Sequence, residues 1–265
     1  SWGGLFAPLF PMLCHDITWN EGLMRPVRMI APEGSVVNCT RPAPISVATV
    51  AAIHVVNMVS GNALAKMLAS SEKYGCEVTG GWHGSNTAIF VYGRNQRDRD
   101  VIGIMTESFA GSGGARAFAD GVDLGGEIPN PISRYANVET IEATYPVRYL
   151  FRKRRRDSGG AGRYRGGTGG EYAIVPHDAH AGELHFSASG KGTLFPMTEG
   201  VCGGHAGSRC LFEWVHTNEA EVDRAKVVPG HATSADGLVG ERQALSWGVF
   251  PLEGEDAFHA CWSGG

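Results

Sequence analysis

The sequence predicts an α+β fold in which a mixed α/β part (1–144) precedes a β-rich, sandwich-like part (145–265). The 38 glycines favour turns, loops and strands over helices. One long segment before residue 75 has the apolar spacing of a helix, whereas short alternating apolar runs dominate after residue 144. The boundary is therefore placed near residue 144.

The first expected element is a hairpin over 26–38. Val27 and Met29 alternate with Arg28, and Pro32 stands at the second position of a turn that continues through Gly34. These features predict two short strands joined by that turn.

The best candidate helix runs from about Val47 to Ser70, with Ser46 as its N-cap. Gly61 weakens its middle by about 1 kcal/mol relative to alanine, so a break or close backbone packing is expected there. The apolar residues of one predicted buried stripe are Val50, Ile53, Val56, Leu64 and Met67.

Short apolar runs bounded by glycine predict the strands. The first two, at 87–92 and 101–105, are expected to pair across the loop at 93–98. Later candidates lie at 147–151, 171–175, 183–187 and 210–215.

Composition excludes several classes of function. A net charge of −4 argues against nucleic-acid binding, and the basic run 152–156 is better explained as a solvated edge strand or a subunit contact. No apolar run approaches the roughly 20 residues that span a bilayer, and no leader precedes Trp2. The six cysteines form no Cys-x-x-Cys pair. We therefore expect a soluble cytoplasmic protein with free thiols and neither a membrane nor a nucleic-acid partner.

The segment 111–116, followed by Asp-Gly-Val-Asp at 120–123, can cradle an anion. Gly113 and Gly114 give the backbone freedom to turn N–H groups inward, with Arg116 and Asp120 nearby. It is not a P-loop, because Gly-Lys occurs only at 190–191, without the strand and helix that such a loop requires. Simple turns remain the alternative.

A second glycine-rich segment, at 157–170, carries Arg163 and Arg165. In an extended chain these two arginines lie on the same side and can bind a carboxylate or phosphate together. The alternative is a structural crossover whose arginines bridge to acidic neighbours.

Histidines supply the remaining candidates. His15 beside Asp16 can act as a general base if the carboxylate orients the imidazole, although neighbours on a strand point in different directions. His177, His180 and His185 are better explained as surface histidines than as metal ligands, so no metal site is predicted in this chain.

Together these motifs resemble the hydantoinase B / 5-oxoprolinase / ketone carboxylase family. The resemblance rests on 19–26, 30–38, 41–46, the pair 113–116 and 120–123, and Asp-Ser-Gly-Gly-Ala-Gly-Arg-Tyr-Arg-Gly-Gly at 157–167. It implies a hydantoinase A-type partner subunit that hydrolyses ATP with Mg²⁺ and phosphorylates a carbonyl or amide oxygen. This chain would then take part in the carboxylation or ring opening that follows.

Within the family, the residues at 15–20 and 125–131 look more like those of the ketone carboxylases than those of the hydantoin or oxoproline hydrolases. The resemblance thus implies a subunit, or chain fragment, of an ATP-dependent ketone carboxylase. The alternatives are a subunit of a cyclic amide hydrolase, whose substrate is a hydantoin, oxoproline or lactam, and a non-catalytic assembly subunit.

The family's Asn-Asp-Pro metal element has no counterpart here. The resemblance implies that a divalent metal (Mn, Zn or Fe) is held by a polypeptide carrying the N-terminal half, with no cofactor bound by this chain alone. On this hypothesis the catalytic residues are His15, Asp16, Arg116 and Asp120, and the substrate-binding residues are Gly113, Gly114, Arg163 and Arg165.

Overall fold

The structure is a computed structural model of the chain. It describes residues 2–45, 52–83, 88–95, 97–105, 111–128, 130–131, 135–177, 179, 184–189, 191–216, 235–238, 240–245, 248–252 and 256–265.

The described residues combine helices with antiparallel sheets, which confirms the predicted α+β class. The helices are α1 (Trp2–Leu13), α2 (Ile53–Ala69) and α3 (Val138–Thr144). The strands are β1 (Ala88–Arg94), β2 (Asp100–Ile104), β3 (Gly126–Glu127), β4 (Asn130–Pro131), β5 (Val147–Arg154), β6 (Gly170–Pro176), β7 (His185–Ser189), β8 (Leu211–His216), β9 (Glu241–Ala244), β10 (Gly248–Pro251) and β11 (Ala257–Cys261).

Two antiparallel sheets enclose the main core. One has the strand order β10-β7-β1-β2 and the other β5-β6-β11-β8-β9, while β3 and β4 form a separate ribbon. Phe186 of the first sheet stacks on Phe258 of the second, with ring centroids 5.6 Å apart. Each fully buried aromatic of this kind stabilises the fold by roughly 1.5–3 kcal/mol through the removal of apolar surface from water.

The first sheet spans residue 144. Strands β1 and β2 precede that residue, whereas β7 and β10 follow it. The main core likewise combines Ile89 and Val91 with Tyr172 and Phe258. The two predicted parts therefore share one sheet and one core.

Helix α2 confirms the predicted helix over its described length, and residues 46–51 lie outside the description. The predicted buried face is partly wrong: Ile53, Val56 and Leu64 are half-buried, but Met67 is 68% exposed, and the buried residues of α2 include His54, Asn57 and Leu68. The glycine-rich loops and strand β3 meet the polar side of α2, as described below. The helix continues through Gly61, where an added Cβ would stand 3.4 Å from Pro8 of α1.

The hairpin predicted at 26–38 is also wrong. The segment contains a single bridge between Ser35 and Asn38, with Gly34 at a φ of 80°. Ile30 and Val36 are 73% and 92% exposed. Without an apolar surface against which these side chains can pack, the alternating pattern does not extend into strands.

No helix among the described residues is long and apolar enough to cross a bilayer.

Candidate functional site

A cleft of about 480 Å³ opens between the glycine-rich segments. Nearly half of its lining residues are glycines, and the exposed residues Arg116, Arg163 and His205 lie on its rim. The glycines that line it are Gly75, Gly80, Gly81, Gly114, Gly160, Gly162, Gly166, Gly200, Gly203, Gly204 and Gly265. A volume of this size suits a small organic substrate.

Close backbone packing explains why glycine is required. A Cβ atom at Gly166 would overlap the carbonyl group of Gly265, and one at Gly160 would overlap the carbonyl of His205. The N–H of Gly160 donates to the Gly265 carbonyl at 2.9 Å, and the N–H of Gly166 donates to the Gly160 carbonyl at 2.9 Å. The cleft wall is thus a hydrogen-bonded assembly of main-chain segments.

Asp123 joins the two predicted glycine segments. Its Oδ1 accepts from Arg165 Nη1 at 2.9 Å and from the Thr168 N–H at 2.7 Å, and its Oδ2 accepts from Arg154 Nη1 at 2.6 Å. Burial alone would raise the pKa of Asp123, but the hydrogen bonds from Arg165 and Thr168 outweigh it and lower the pKa to about 2. The carboxylate is therefore a charged structural link between the segments.

The arginines predicted to act together are separated. Arg163 lies over the ring of Tyr164 and lines the cleft. Arg165 instead binds Asp123 and lies 3.8 Å from the carboxylate of Asp120. Arg165 thus follows the alternative reading of the 157–170 segment, in which an arginine bridges to acidic neighbours.

The remaining predicted residues lie at or behind the cleft wall. Gly114 and Arg116 line it, and the Nη2 of Arg116 donates to the backbone carbonyl of Asp120 at 3.2 Å. The Asp120 carboxylate accepts the N–H of Arg165 at 3.0 Å. Gly113 does not line the cleft, and its carbonyl accepts the N–H of Gly167 at 2.8 Å. Asp120 therefore positions both arginine-bearing segments.

His15 and Asp16 lie elsewhere, in an exposed turn after α1. The structure shows no hydrogen bond or ion pair between their side chains, and neither residue lines the cleft. Their catalytic role stays a prediction.

Behind the cleft lies a buried polar cluster, which we define as His54, His83, Glu127 and Lys191. His54 Nδ1 stands 3.2 Å from Glu127 Oε2, and both side chains are less than 10% exposed. Glu127 Oε1 and His83 Nδ1 have no hydrogen-bond partner among the described residues. Unpaired polar atoms at this depth are costly, so they indicate a ligand, a water molecule or a proton-transfer role.

Burial shifts the pKa of every residue in this cluster. It lowers the pKa of His54 to about 4 and that of His83 to about 3, in each case assisted by the positive charge of Lys191. It raises the pKa of Glu127 to about 7, against the attraction of Lys191, and lowers the pKa of Lys191 to about 8. At neutral pH His54 is therefore uncharged and Glu127 is about half ionised, so the two do not form a full ion pair.

The pKa values of Glu127 and Lys191 suit proton transfer near pH 7. A cavity of about 10 Å³, room for about one water molecule, lies beside the cluster and is lined by Asn57, Trp82 and Ile128 among others. Gly80 and Gly81 contribute to the walls of both this cavity and the large cleft. The small cavity therefore adjoins the cleft, and two of its lining residues, Trp82 and Ile128, are the chain neighbours of His83 and Glu127.

A third polar group, Glu171, His259 and Cys261, lies on the five-stranded sheet. One ligand atom from each of these side chains falls within 4.8 Å of the other two. His177 is exposed and His185 stacks on Tyr92 at 6.1 Å, while His180 lies outside the described residues.

Sequence reasoning missed both polar groups. His54, Glu127 and Lys191 come from a helix, a two-residue strand and a loop that are distant in sequence. The available signal was a histidine and an asparagine, at positions 54 and 57, on a helix of otherwise apolar character.

A family model describing hydantoinase B/oxoprolinase matches residues 4–265. The chain belongs to the hydantoinase B/oxoprolinase family. This confirms the resemblance inferred from the glycine-rich motifs.

Named relatives in this hydantoinase B family divide between two activities. The chain is 29% identical to the acetophenone carboxylase delta subunit of Aromatoleum aromaticum over 61% of its own length and 22% of the relative's. It is also 29% identical to the caprolactamase subunit beta of Pseudomonas jessenii, over 66% of its length and 30% of the relative's. The chain thus spans less than a third of either protein.

The fold is shared with a solved structure. Nucleotide-free acetone carboxylase superimposes with a TM-score of 0.82 at 22% identity, over 99% of this chain and 36% of that one. The hydantoinase B-type fold described above is therefore found within a larger ATP-dependent enzyme.

Proposed function

We propose that this chain is a subunit, or part of a subunit, of an ATP-dependent multisubunit ketone carboxylase. In this proposal it contributes to the site where a phosphorylated enol is carboxylated. The observation that carries the proposal is the glycine-walled cleft with Arg116 and Arg163 at its rim. Two guanidinium groups beside a small-molecule cleft suit the phosphate of an activated substrate and the incoming bicarbonate-derived carboxylate.

Both arginines can bind an anion in the cleft. No described carboxylate lies within 4 Å of the guanidinium of Arg116 or Arg163, so both charges remain available for an anion. Asp120 holds Arg116 through its backbone carbonyl, which fixes the direction of approach. Gly114 allows the substrate to lie close to the main chain.

The buried cluster supplies proton transfer in this proposal. Glu127 exchanges a proton near neutral pH, because its pKa is about 7, and His54 orients the carboxyl group at 3.2 Å. Lys191 stabilises the ionised carboxylate after the proton has left.

The two named relatives are subunits of larger enzymes, which supports partner subunits in general. The activating ATP and Mg²⁺ would be used by a hydantoinase A-type subunit, and a divalent metal (Mn, Zn or Fe) would be held by a polypeptide carrying the family's N-terminal half. The large exposed apolar side chains of the N-terminal segment, including Trp19, Ile30 and Val36, provide surface for such contacts.

Cyclic amide hydrolysis is the second candidate, because the caprolactamase relative is equally identical and is matched over slightly more of the chain. The same cleft would then bind a phosphorylated lactam, and Glu127 would deprotonate water for ring opening. Bicarbonate separates the two activities, since only the carboxylase consumes it.

The complex should be purified natively and assayed for ATP-dependent consumption of acetone or acetophenone, with and without bicarbonate, and of caprolactam. Arg163→Gln is expected to reduce kcat/KM at least 100-fold, about 2.7 kcal/mol of transition-state stabilisation, while the complex stays assembled by native mass spectrometry. The matched control is Arg156→Gln, in the same region, whose side chain is 95% exposed.

Three results would each decide the question. Bicarbonate-dependent loss of ketone supports the carboxylase, and ring opening without bicarbonate supports the hydrolase. If Arg163→Gln and Arg116→Gln leave turnover intact, or only dissolve the complex, the chain is an assembly subunit and the catalytic proposal is wrong.

A further inference from the structure

A compact polar group occupies the face of the five-stranded sheet that is turned away from the main core. His259 and Cys261 of β11 alternate with Phe258 and Ala260, which belong to that core. Because side chains on a strand alternate between faces, His259 and Cys261 point together to the opposite side. Glu171 of β6 pairs directly with Cys261 in the sheet register.

The three side chains converge on one point. Cys261 Sγ lies 3.3 Å from His259 Nε2 and 3.7 Å from Glu171 Oε2, and the latter two atoms are 3.8 Å apart. Ligands of a tetrahedral zinc ion with bonds of about 2.0–2.3 Å are separated by about 3.3–3.6 Å. The observed distances match this geometry to within a few tenths of an ångström.

Neighbouring residues hold two of the three ligands in the required orientation. Glu213 Oε1 accepts from His259 Nδ1 at 2.8 Å, which leaves Nε2 facing the shared point. This is the carboxylate–histidine arrangement that commonly supports a zinc-bound imidazole. Lys153 Nζ binds Glu171 Oε1 at 2.9 Å, so Oε2 is the oxygen directed at His259 and Cys261.

Burial and ligand type narrow the choice of ion. Glu171, His259 and Cys261 are 9%, 1% and 2% exposed. A thiolate, an imidazole and a carboxylate together favour zinc over magnesium or calcium, which prefer oxygen ligands. A divalent cation would be balanced in charge by the thiolate and the Glu171 carboxylate.

We propose that Glu171, His259 and Cys261 bind one zinc ion, which clamps strand β6 to strand β11. Both strands lead to the cleft: β11 is followed by residues 262–265, and Gly265 lines the cleft wall. Gly170 at the start of β6 accepts the N–H of Trp262 at 2.9 Å. The ion thus acts as a structural brace behind the glycine-rich wall, and this site is separate from the metal expected in a partner polypeptide.

The test measures zinc directly. The full 265-residue chain, with its partner where one co-purifies, is loaded with a small molar excess of zinc and dialysed against metal-free buffer to remove unbound ion, and bound zinc is counted by mass spectrometry. We expect Cys261→Ser to hold one zinc ion fewer per chain than the wild type. Cys210→Ser is the matched control, because Cys210 is a second buried cysteine that lies outside the group and should leave the count unchanged.

Two further readouts do not depend on the fold of the Cys261 variant. Co²⁺ added to the wild-type chain should give a thiolate-to-cobalt charge-transfer band, which zinc removes by competition. Glu213→Gln keeps all three ligands but loses the support of His259, and it should weaken zinc affinity 10- to 100-fold.

The proposal is overturned if the wild-type chain shows no charge-transfer band, or if Cys261→Ser and the wild type hold equal zinc. It is also overturned if Glu213→Gln binds zinc as tightly as the wild type. None of these measurements uses substrate turnover, so their outcome is independent of the carboxylase proposal.

Discussion

Among single residues, Asp123 joins the two glycine-rich segments. It accepts hydrogen bonds from Arg165 and Thr168, which are 42 and 45 residues away in sequence. The side chain is only 21% exposed, so its interactions are weakly screened by solvent. Its lowered pKa means that the folded state favours the ionised carboxylate.

Replacing Asp123 with asparagine should lower the free energy of unfolding by about 2 kcal/mol at pH 7. A lowered folded-state pKa gives a contribution that is complete above the unfolded pKa of about 4 and is lost as the pH falls toward about 2. Urea denaturation between pH 7 and about pH 3 should therefore show the difference from wild type narrowing. Asp157→Asn, at a 92% exposed side chain, should change stability by less than about 0.5 kcal/mol. If the difference in unfolding free energy between wild type and Asp123→Asn stays constant with pH, the pKa of Asp123 is not lowered in the folded state.

For Glu127 the dependence of folding stability on pH is the reverse of that for Asp123. Its folded-state pKa is raised to about 7, so its contribution is complete below the unfolded pKa of 4.5 and is lost as the pH rises through 7. The side chain is 7% exposed, and ionisation at this depth is opposed by desolvation.

Glu127→Gln should accordingly raise the free energy of unfolding by about 2–3 kcal/mol at pH 8 and leave it nearly unchanged below about pH 4.5. Chemical denaturation at the two pH values measures this difference. Glu72→Gln, at an exposed turn, is the control and should show little pH-dependent change. If Glu127→Gln is no more stable than wild type at pH 8, the carboxyl group is not held in its neutral form.

At the scale of elements, the glycine-rich segments are defined by how closely their backbones approach. Gly166 contacts Gly265 and Gly160 through main-chain atoms alone. Any side chain there would push apart segments that hydrogen bonds hold together.

Gly166→Ala should therefore destabilise the chain by more than about 2 kcal/mol, because the added methyl group overlaps the backbone of residue 265. Gly3→Ala is the matched control, since Gly3 lies in α1 with nothing within 4 Å of the added Cβ and alanine favours helix by about 1 kcal/mol. Urea denaturation of Gly166→Ala and Gly3→Ala measures the change in the free energy of unfolding for each variant. Equal stability of Gly166→Ala and wild type would show that the wall is looser than described.

Much of the fold was predictable from local patterns. The alternation of Val147, Tyr149 and Phe151 correctly indicated a strand with one buried face, because period-2 spacing acts over neighbouring residues. The prediction for α2 identified the helix but misplaced part of its buried face, since Met67 is exposed whereas His54 and Asn57 are buried. That face depends on His54 and Asn57 packing against other parts of the chain, which spacing within the helix does not reveal.

The candidate site was predictable only where one segment carries it. Gly114, Arg116 and Arg163 were found because their motifs are contiguous in sequence. Glu127 and Lys191 were missed, since their proximity to α2 arises from tertiary structure. The separation of Arg163 from Arg165 was likewise invisible, because it depends on Asp123 lying 42 residues before Arg165.

At the scale of the whole molecule, the exposed face of α2 indicates a contact with another polypeptide. Val55, Val59 and Met67 are 44%, 63% and 68% exposed, although a helix in a self-contained protein normally turns such residues inward. The chain also spans less than a third of its named carboxylase and lactamase relatives. We therefore expect the polypeptide carrying the rest of the family fold to cover this face.

The double variant Val59→Ser/Met67→Ser should leave the stability of the isolated chain within about 0.5 kcal/mol of wild type but weaken the complex at least tenfold. Native mass spectrometry across a dilution series measures the second effect. Ile102→Ser, at an 81% exposed apolar position on β2 and away from this helix, should leave assembly unchanged. Undiminished assembly of the double variant would show that this face contacts no partner.

The glycine content of the cleft wall limits how its selectivity can be altered. Nearly half of the residues that line it are glycines, and at Gly160 and Gly166 an added side chain would overlap the backbone of a neighbouring segment. Engineering for new compounds should therefore target the rim, above all Arg116, Arg163 and His205, and the parts that adjoin it from other polypeptides. Libraries randomised at Gly160 and Gly166 would yield mostly unfolded protein.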